Sequence, residues 1–179
     1  MSLVDQARKL ATSLPLPEGH WKDTLRLRAI GLLKIPMIFF IGPSVETLTD
    51  ERVVVRVPLH RRNRNHLGSM YFGVLAAGAD CAGGLIAWKL LEEANAAAPK
   101  GSGKISLVFK DFHAEFLKRP EGDVLFTCTE GAAIRELVNR AAASGERENM
   151  PVHITATCPN KTGDEPVAKF TLTLSLKKK

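Results

Sequence analysis

The chain has 179 residues, 45% of them apolar and 25% charged, with a formal net charge of +6. That length and balance fit one folded domain and exclude a disordered, collagen-like or disulfide-framework chain. The three cysteines, Cys81, Cys128 and Cys158, lie far apart in apolar or strand-like stretches, as buried thiols in a reducing compartment do.

The opening run MSLVDQARKL places an Asp early and lacks the continuous apolar core of a secretion signal, so a cytoplasmic location is expected. Residues 2–14 predict an amphipathic helix with Leu3, Ala7, Leu10, Ala11 and Leu14 on one side, ended by Pro15 and Pro17. A second helix is predicted over about 19–34, where Trp21, Leu25, Ala29, Leu32 and Leu33 recur at helical spacing, and Pro36 stops it. Residues 1–36 are accordingly read as a helical extension and 37–179 as the main domain.

A short strand at 45–49 and a turn at Asp50-Glu51 lead into a clearer strand at 52–59. There Val53, Val55, Val57 and Leu59 alternate with Arg52, Val54, Arg56 and Pro58. The basic cluster His60, Arg61, Arg62, Asn63 and Arg64 follows. A long Gly/Ala-rich helix is then predicted from about 69 to 96, ended by the stretch from Pro99 to Gly103. The strand at 104–117 keeps Ile105, Leu107 and Phe109 on one face, then shifts phase to Phe112, Ala114 and Phe116. That shift predicts a β-bulge near Lys110-Asp111. Strands at 123–129, 151–158 and 166–176 complete the set, with a helix at 131–143 between the first two. Each strand has one apolar face to cover, and the long helix is the one central element uniform enough to cover it. The order predicts an α+β fold, a curved antiparallel sheet wrapped around a long central helix.

Asp80 is the lone strongly ionisable side chain between Met70 and Trp88. On a helical wheel it shares a stripe with Gly73, Ala76, Ala77, Gly83, Gly84 and Ala87, while Val74, Leu75, Leu85, Ile86 and Trp88 fall on the other side. A carboxylate there loses hydration, which is costly unless something compensates, and backbone or ligand approaches closely only where side chains are small. A buried helix offering one acid to a narrow cleft is expected. A core ion pair is the plainer alternative. A membrane span is the other, but Gly73, Gly78, Gly83, Gly84 and a mid-segment Asp disfavour it.

Other patterns carry less. Gly101-Ser102-Gly103-Lys104 lacks the spacing of a P-loop and reads as a turn. His20, His60, His113 and His153 lack metal-ligand spacing, and no metal or cofactor is expected. Ser69 is outside any nucleophile elbow and is expected to cap the long helix. The Arg cluster and the terminal lysines invite an anion, but without aromatic interleaving nucleic acid is disfavoured beside a small phosphorylated ligand.

The run Asn65-His66-Leu67-Gly68-Ser69-Met70-Tyr71-Phe72-Gly73-Val74-Leu75, followed by Ala79-Asp80, resembles the hotdog-fold acyl-CoA thioesterases. It is most similar to the phenylacetyl-CoA thioesterase-like branch and its relatives of unknown function. Asn65 matches the family Asn and Asp80 the family acid, while Tyr71 occupies the position of a His, Phe72 that of a first Gly, and Gly73 that of the second. The resemblance spans roughly 44–176 and implies a hotdog fold with additional N-terminal helices. It also implies that Asp80 acts as nucleophile or general base and that the amide of Phe72 or Gly73 supports the oxyanion. Asn65 would hold the attacking water or the carbonyl. Tyr71, His66, Ala76 and Ala77 are expected to line the substrate site, with Arg61, Arg62 and Arg64 meeting the phosphates of coenzyme A as part of the substrate. The implied partners are an acyl-CoA or acyl carrier protein thioester and a second copy of the chain, as a homodimer or a dimer of dimers. No membrane partner is expected. A non-catalytic acyl-CoA-binding or regulatory protein stands as the alternative.

Overall fold

The cleanest alternation in the sequence, Ala168 to Leu176, forms the middle of the fold. In the computed structural model, which describes residues 20–99, 101 and 103–179, these residues belong to β6 (Gly163–Lys178), and Ala168, Phe170, Leu172, Leu174 and Leu176 are all buried. The helix expected over 2–14 lies outside the described residues.

On one side β6 pairs with β3 (Ile105–Phe116) and on the other with β5 (Glu148–Cys158). Beyond β5 come β4 (Val124–Cys128), β2 (Val53–Val57) and β1 (Ser44–Leu48), all antiparallel, in the order β1-β2-β4-β5-β6-β3. The register of β3 on β6 shifts between Phe109 and Phe112, where the change of phase places the bulge. β5 and β6 run longer than their apolar stretches suggest because they pair with each other along nearly their whole length.

The helix α3 (Phe72–Ala97) lies against this curved sheet. Val74, Leu75, Ala79, Ala82, Ile86 and Leu90 are buried in the common core. Its glycines set how closely it lies. A Cβ on Gly83 would stand 3.3 Å from Ile154 and 3.6 Å from Val152, and one on Gly78 would overlap the Phe126 ring. The helix is long and apolar enough to cross a bilayer by length and composition, yet 61% of its most apolar window is buried in the fold.

Two helices precede the sheet. The first, α1 (Trp21–Lys34), ends as expected, but Pro36 does more than stop it: it opens a second helix, α2 (Pro36–Ile41). Proline at the first helical position has no amide to waste and a φ already suited to the helix. α2 closes at Gly42, whose φ of 66° is the left-handed conformation that glycine adopts without penalty. α1 is tied to the sheet at its start, with Thr24 Oγ1 accepting the Val45 amide at 2.8 Å and Arg28 Nε donating to Pro43 O at 2.9 Å. α4 (Gly131–Ser144) packs on α3, and its first amide donates to Glu51 O at 3.1 Å. A one-turn helix, α5 (Pro159–Thr162), links β5 to β6.

Glycine inside an exposed helix costs about 1 kcal/mol relative to alanine, so Gly78→Ala would stabilise an isolated α3. Here the added methyl meets the ring of fully buried Phe126, and such overpacking costs about 1–3 kcal/mol. Gly78→Ala is therefore expected to lower the urea midpoint at unchanged m-value, and a raised midpoint would show that the ring yields freely.

Candidate functional site

Asp80 sits half-buried on α3, beside the edge strand β3. It borders a cavity of about 610 Å³ enclosed by α1, α3 and the start of β3. Burial pushes its carboxyl above the ordinary 3.8, and among the described residues no hydrogen bond or ion pair offsets that push. One turn on, Gly84 keeps the approach open: a Cβ there would lie 3.5 Å from the Phe109 ring and 3.9 Å from Asp80 Oδ1.

The wheel needs one correction here. Gly83 faces the sheet, whereas Leu85 and Trp88 line the cavity beside Asp80. Asp80, Gly84 and Trp88 follow one another at intervals of four, which was the available signal for Trp88. Cys81 also borders the cavity, but burial first, and the charge of Asp80 second, push its thiol up. A thiol held protonated is a poor competing nucleophile.

The other half of the expected site is the N-terminus of α3. Tyr71 is the N-cap in extended conformation, and its amide donates to Asn63 O at 2.9 Å. Helix geometry leaves the Phe72 and Gly73 amides without an intrahelical acceptor, and no side chain caps them. The Tyr71 ring folds over Gly73, where a Cβ would come within 2.7 Å of it. Phe72, 60% exposed, stacks on Tyr71 at 4.7 Å and meets Phe116 edge-on at 6.4 Å.

Ser69 does not cap the helix, contrary to expectation. It is buried two residues before the N-cap and bonded to Asn65. Asn65 spends its side chain on the loop it begins, accepting the Leu67 amide at 2.9 Å and donating to Ser69 Oγ at 3.1 Å. Asn63, which the sequence did not single out, is fully buried. It donates to Ile41 O at 2.9 Å and Pro58 O at 2.8 Å, tying α2 and the end of β2 to the helix start. Its Oδ1 has no partner among the described residues.

Arg61, Arg62 and Arg64 are exposed around a single 3-10 turn. The Arg62 guanidinium lies 5.5 Å from the centre of the Phe40 ring, and Arg64 donates to Leu59 O at 3.2 Å. His66 is exposed beside them, and Ala76 and Ala77 are half-buried on α3 between the tip and the acid. None of these arginines lines the Asp80 cavity. Phe72 and Asp80 are eight residues apart on one rigid helix, or about 12 Å along its axis. A single chain therefore holds the acid and the amide tip apart.

The model of the family described as "Domain of unknown function (DUF4442)" matches residues 25–176. The chain belongs to that family. No curated protein shows significant sequence similarity to it. Among solved structures, this DUF4442 chain is similar to a Pseudomonas aeruginosa protein of unknown function described as a probable thioesterase. The two share 24% identity with a TM-score of 0.69, over 92% of this chain and 98% of that one. It is also similar to a putative thioesterase from Shewanella oneidensis, with 18% identity, a TM-score of 0.70, and coverage of 89% and 100%. A thioesterase from Haemophilus influenzae gives 15% identity, a TM-score of 0.57, and coverage of 84% and 88%. Sheet, central helix and neighbours together establish the hotdog fold with additional N-terminal helices.

An Asp whose carboxyl titrates higher in the folded chain than in the unfolded one destabilises the fold once ionised. The penalty is absent below 3.8, grows as pH rises toward the raised folded value, and stays in full above it. Asp80→Asn removes it. Thermal denaturation should show the variant gaining stability relative to wild type between pH 3.5 and pH 7.5, and a gain that does not grow with pH would mean the acid is solvated or paired.

Proposed function

We propose that this protein hydrolyses acyl thioesters as a dimer, with Asp80 of one chain working opposite the α3 tip of the other. The observation that carries this reading is a carboxylate facing a cavity with no partner among the described residues to neutralise it. Structural neighbours described as thioesterases support the reaction class.

The thioester carbonyl rests at the Phe72 and Gly73 amides, which carry the positive end of the helix dipole and stabilise the oxyanion as it forms. Asp80 attacks the carbonyl carbon, or takes a proton from the water that does. On the water route the carbon–sulfur bond breaks as Asp80 returns that proton to the sulfur. On the direct route the thiolate leaves and is protonated by solvent, and water then hydrolyses the acyl–Asp80 anhydride to release the acid. Because 12 Å or so of rigid helix separates tip from acid in one chain, the tip has to come from a second copy.

The free edge of β3 supports such pairing. Among the described residues β6 is the one strand paired with it, and Phe109, Phe112 and Phe116 are 37%, 44% and 53% exposed along it. A long apolar edge left open invites another strand. The carrier is coenzyme A or an acyl carrier protein. Arg61 is the best placed to meet its phosphate, since the Arg62 guanidinium already lies over Phe40 and Arg64 already donates to Leu59 O. One observation favours binding without turnover: the Tyr71 ring folds over Gly73 and packs on the Phe72 ring at the helix tip that an oxyanion would use.

Purified protein and its Asp80→Asn variant, assayed against a panel of acyl-CoA esters, separate these readings. The hydrolase reading expects wild-type turnover and a fall in kcat of about 10²–10⁴-fold in the variant, with KM little changed. Tight binding without turnover would establish the second reading. An equally fast variant would remove Asp80 from the chemistry.

A further inference from the structure

We propose that the cavity between α1, α3 and β3 takes the hydrocarbon tail of a medium- to long-chain fatty acyl group, lying along α3 with its carbonyl end at Asp80. The placement of the carbonyl end rests on the thioesterase reading; the assignment of the tail rests on the cavity.

The cavity exists because α1 leans on α2 and β1 rather than on α3. Apart from Lys34 at the end of α1, the side chains that α1, α2 and the junction between them line it with are aliphatic, Leu27, Ile30, Ile35 and Ile38, and α3 answers with Leu85 and Leu91. Lys34, Glu92, Asn95 and Ser106 are the polar lining residues besides Asp80. Asn95 is already consumed: its amide donates to Ile105 O at 3.2 Å and accepts the Ile105 amide at 2.8 Å. A head group with many hydrogen bonds to make finds little here, whereas a saturated chain loses nothing.

Length points the same way. Asp80 and Leu91 both line the cavity, and eleven residues of helix separate them by about 16 Å. With carbon–carbon bonds of ~1.5 Å at tetrahedral angles, that distance matches an extended chain of about a dozen carbons. At about 610 Å³ the space lies in the range of small-molecule sites. A phenylacetyl group would fill only the end next to Asp80.

Trp88 lines the cavity, and Trp21 is the other tryptophan in the chain. In a Trp21→Phe background, Trp88 emission therefore reports occupancy. Titration with hexanol, octanol, decanol and dodecanol needs neither hydrolysis nor a carrier. Affinity is expected to rise about four-fold per methylene and to level off near a dozen carbons, with 2-phenylethanol binding no better than hexanol. Leu91→Phe fills the end remote from Asp80 and should move the plateau to shorter chains, and Ile30→Phe should do so from the facing helix.

A flat length dependence, a preference for the aromatic alcohol, or a plateau that neither variant moves would overturn the proposal. Length-dependent binding without hydrolysis of the matching acyl-CoA would leave this tail site standing and remove the hydrolase. Hydrolysis of short or aromatic thioesters with no response at Trp88 would do the reverse.

Discussion

Asp80 is carried by a helix whose opposite face is packed into the sheet, so its carboxylate gives up hydration that no side chain among the described residues restores. The fold tolerates this because the same helix buries Val74, Leu75, Ile86 and Leu90 against β-strands on its other side. Each fully buried side chain of that kind is worth roughly 1.5–3 kcal/mol, enough together to offset one poorly solvated acid. The small residues around Asp80 follow from the same constraint. Gly84 leaves free the space beside the carboxylate that a side chain would take up against Phe109, while Gly78 and Gly83 let the helix lie low enough on the sheet to hold it there.

The rigidity of α3 governs the rest. The amides that suit an oxyanion sit at its first turn and the acid sits about 12 Å along the axis. The tip is fixed by contacts distant in sequence, with Asn63 bonded to Ile41 and Pro58 and its carbonyl holding the Tyr71 amide. The proposed pairing of two chains brings a tip to an acid without bending either helix. It also covers the apolar edge of β3, which a lone chain leaves in water.

Much of the fold was legible because alternation and phase are local signals. The bulge at Phe109–Phe112 showed as a break of period, and the central helix as a long run of Gly and Ala between turn residues. Pro36 was harder, since the residue that stops one helix is equally suited to start the next. Within the site, Asp80 stood out as a lone acid, but its surroundings did not. Sorting the wheel by size placed Leu85 and Trp88 away from it, when the cavity wall required them beside it. Asn65 drew notice through its spacing from Asp80, yet the buried amide is Asn63. Its burial depends on where α2 and β2 end in space, which no local pattern encodes. The cavity itself depends on α1 resting on β1, a contact between segments some twenty residues apart.

Subunit mixing tests the central claim most directly. Phe72→Pro deletes one tip amide while keeping the helix start, because proline suits the first helical position and Tyr71 before it is already extended. Phe72→Ala, which keeps the amide, is its control. Phe72→Pro and Asp80→Asn chains should each be inactive alone, and activity should return when they are unfolded together and refolded, since each mixed dimer contains one intact acid facing one intact tip. Mixed dimers that form but stay inactive, or a Phe72→Pro chain with full activity, would contradict a site shared between two chains.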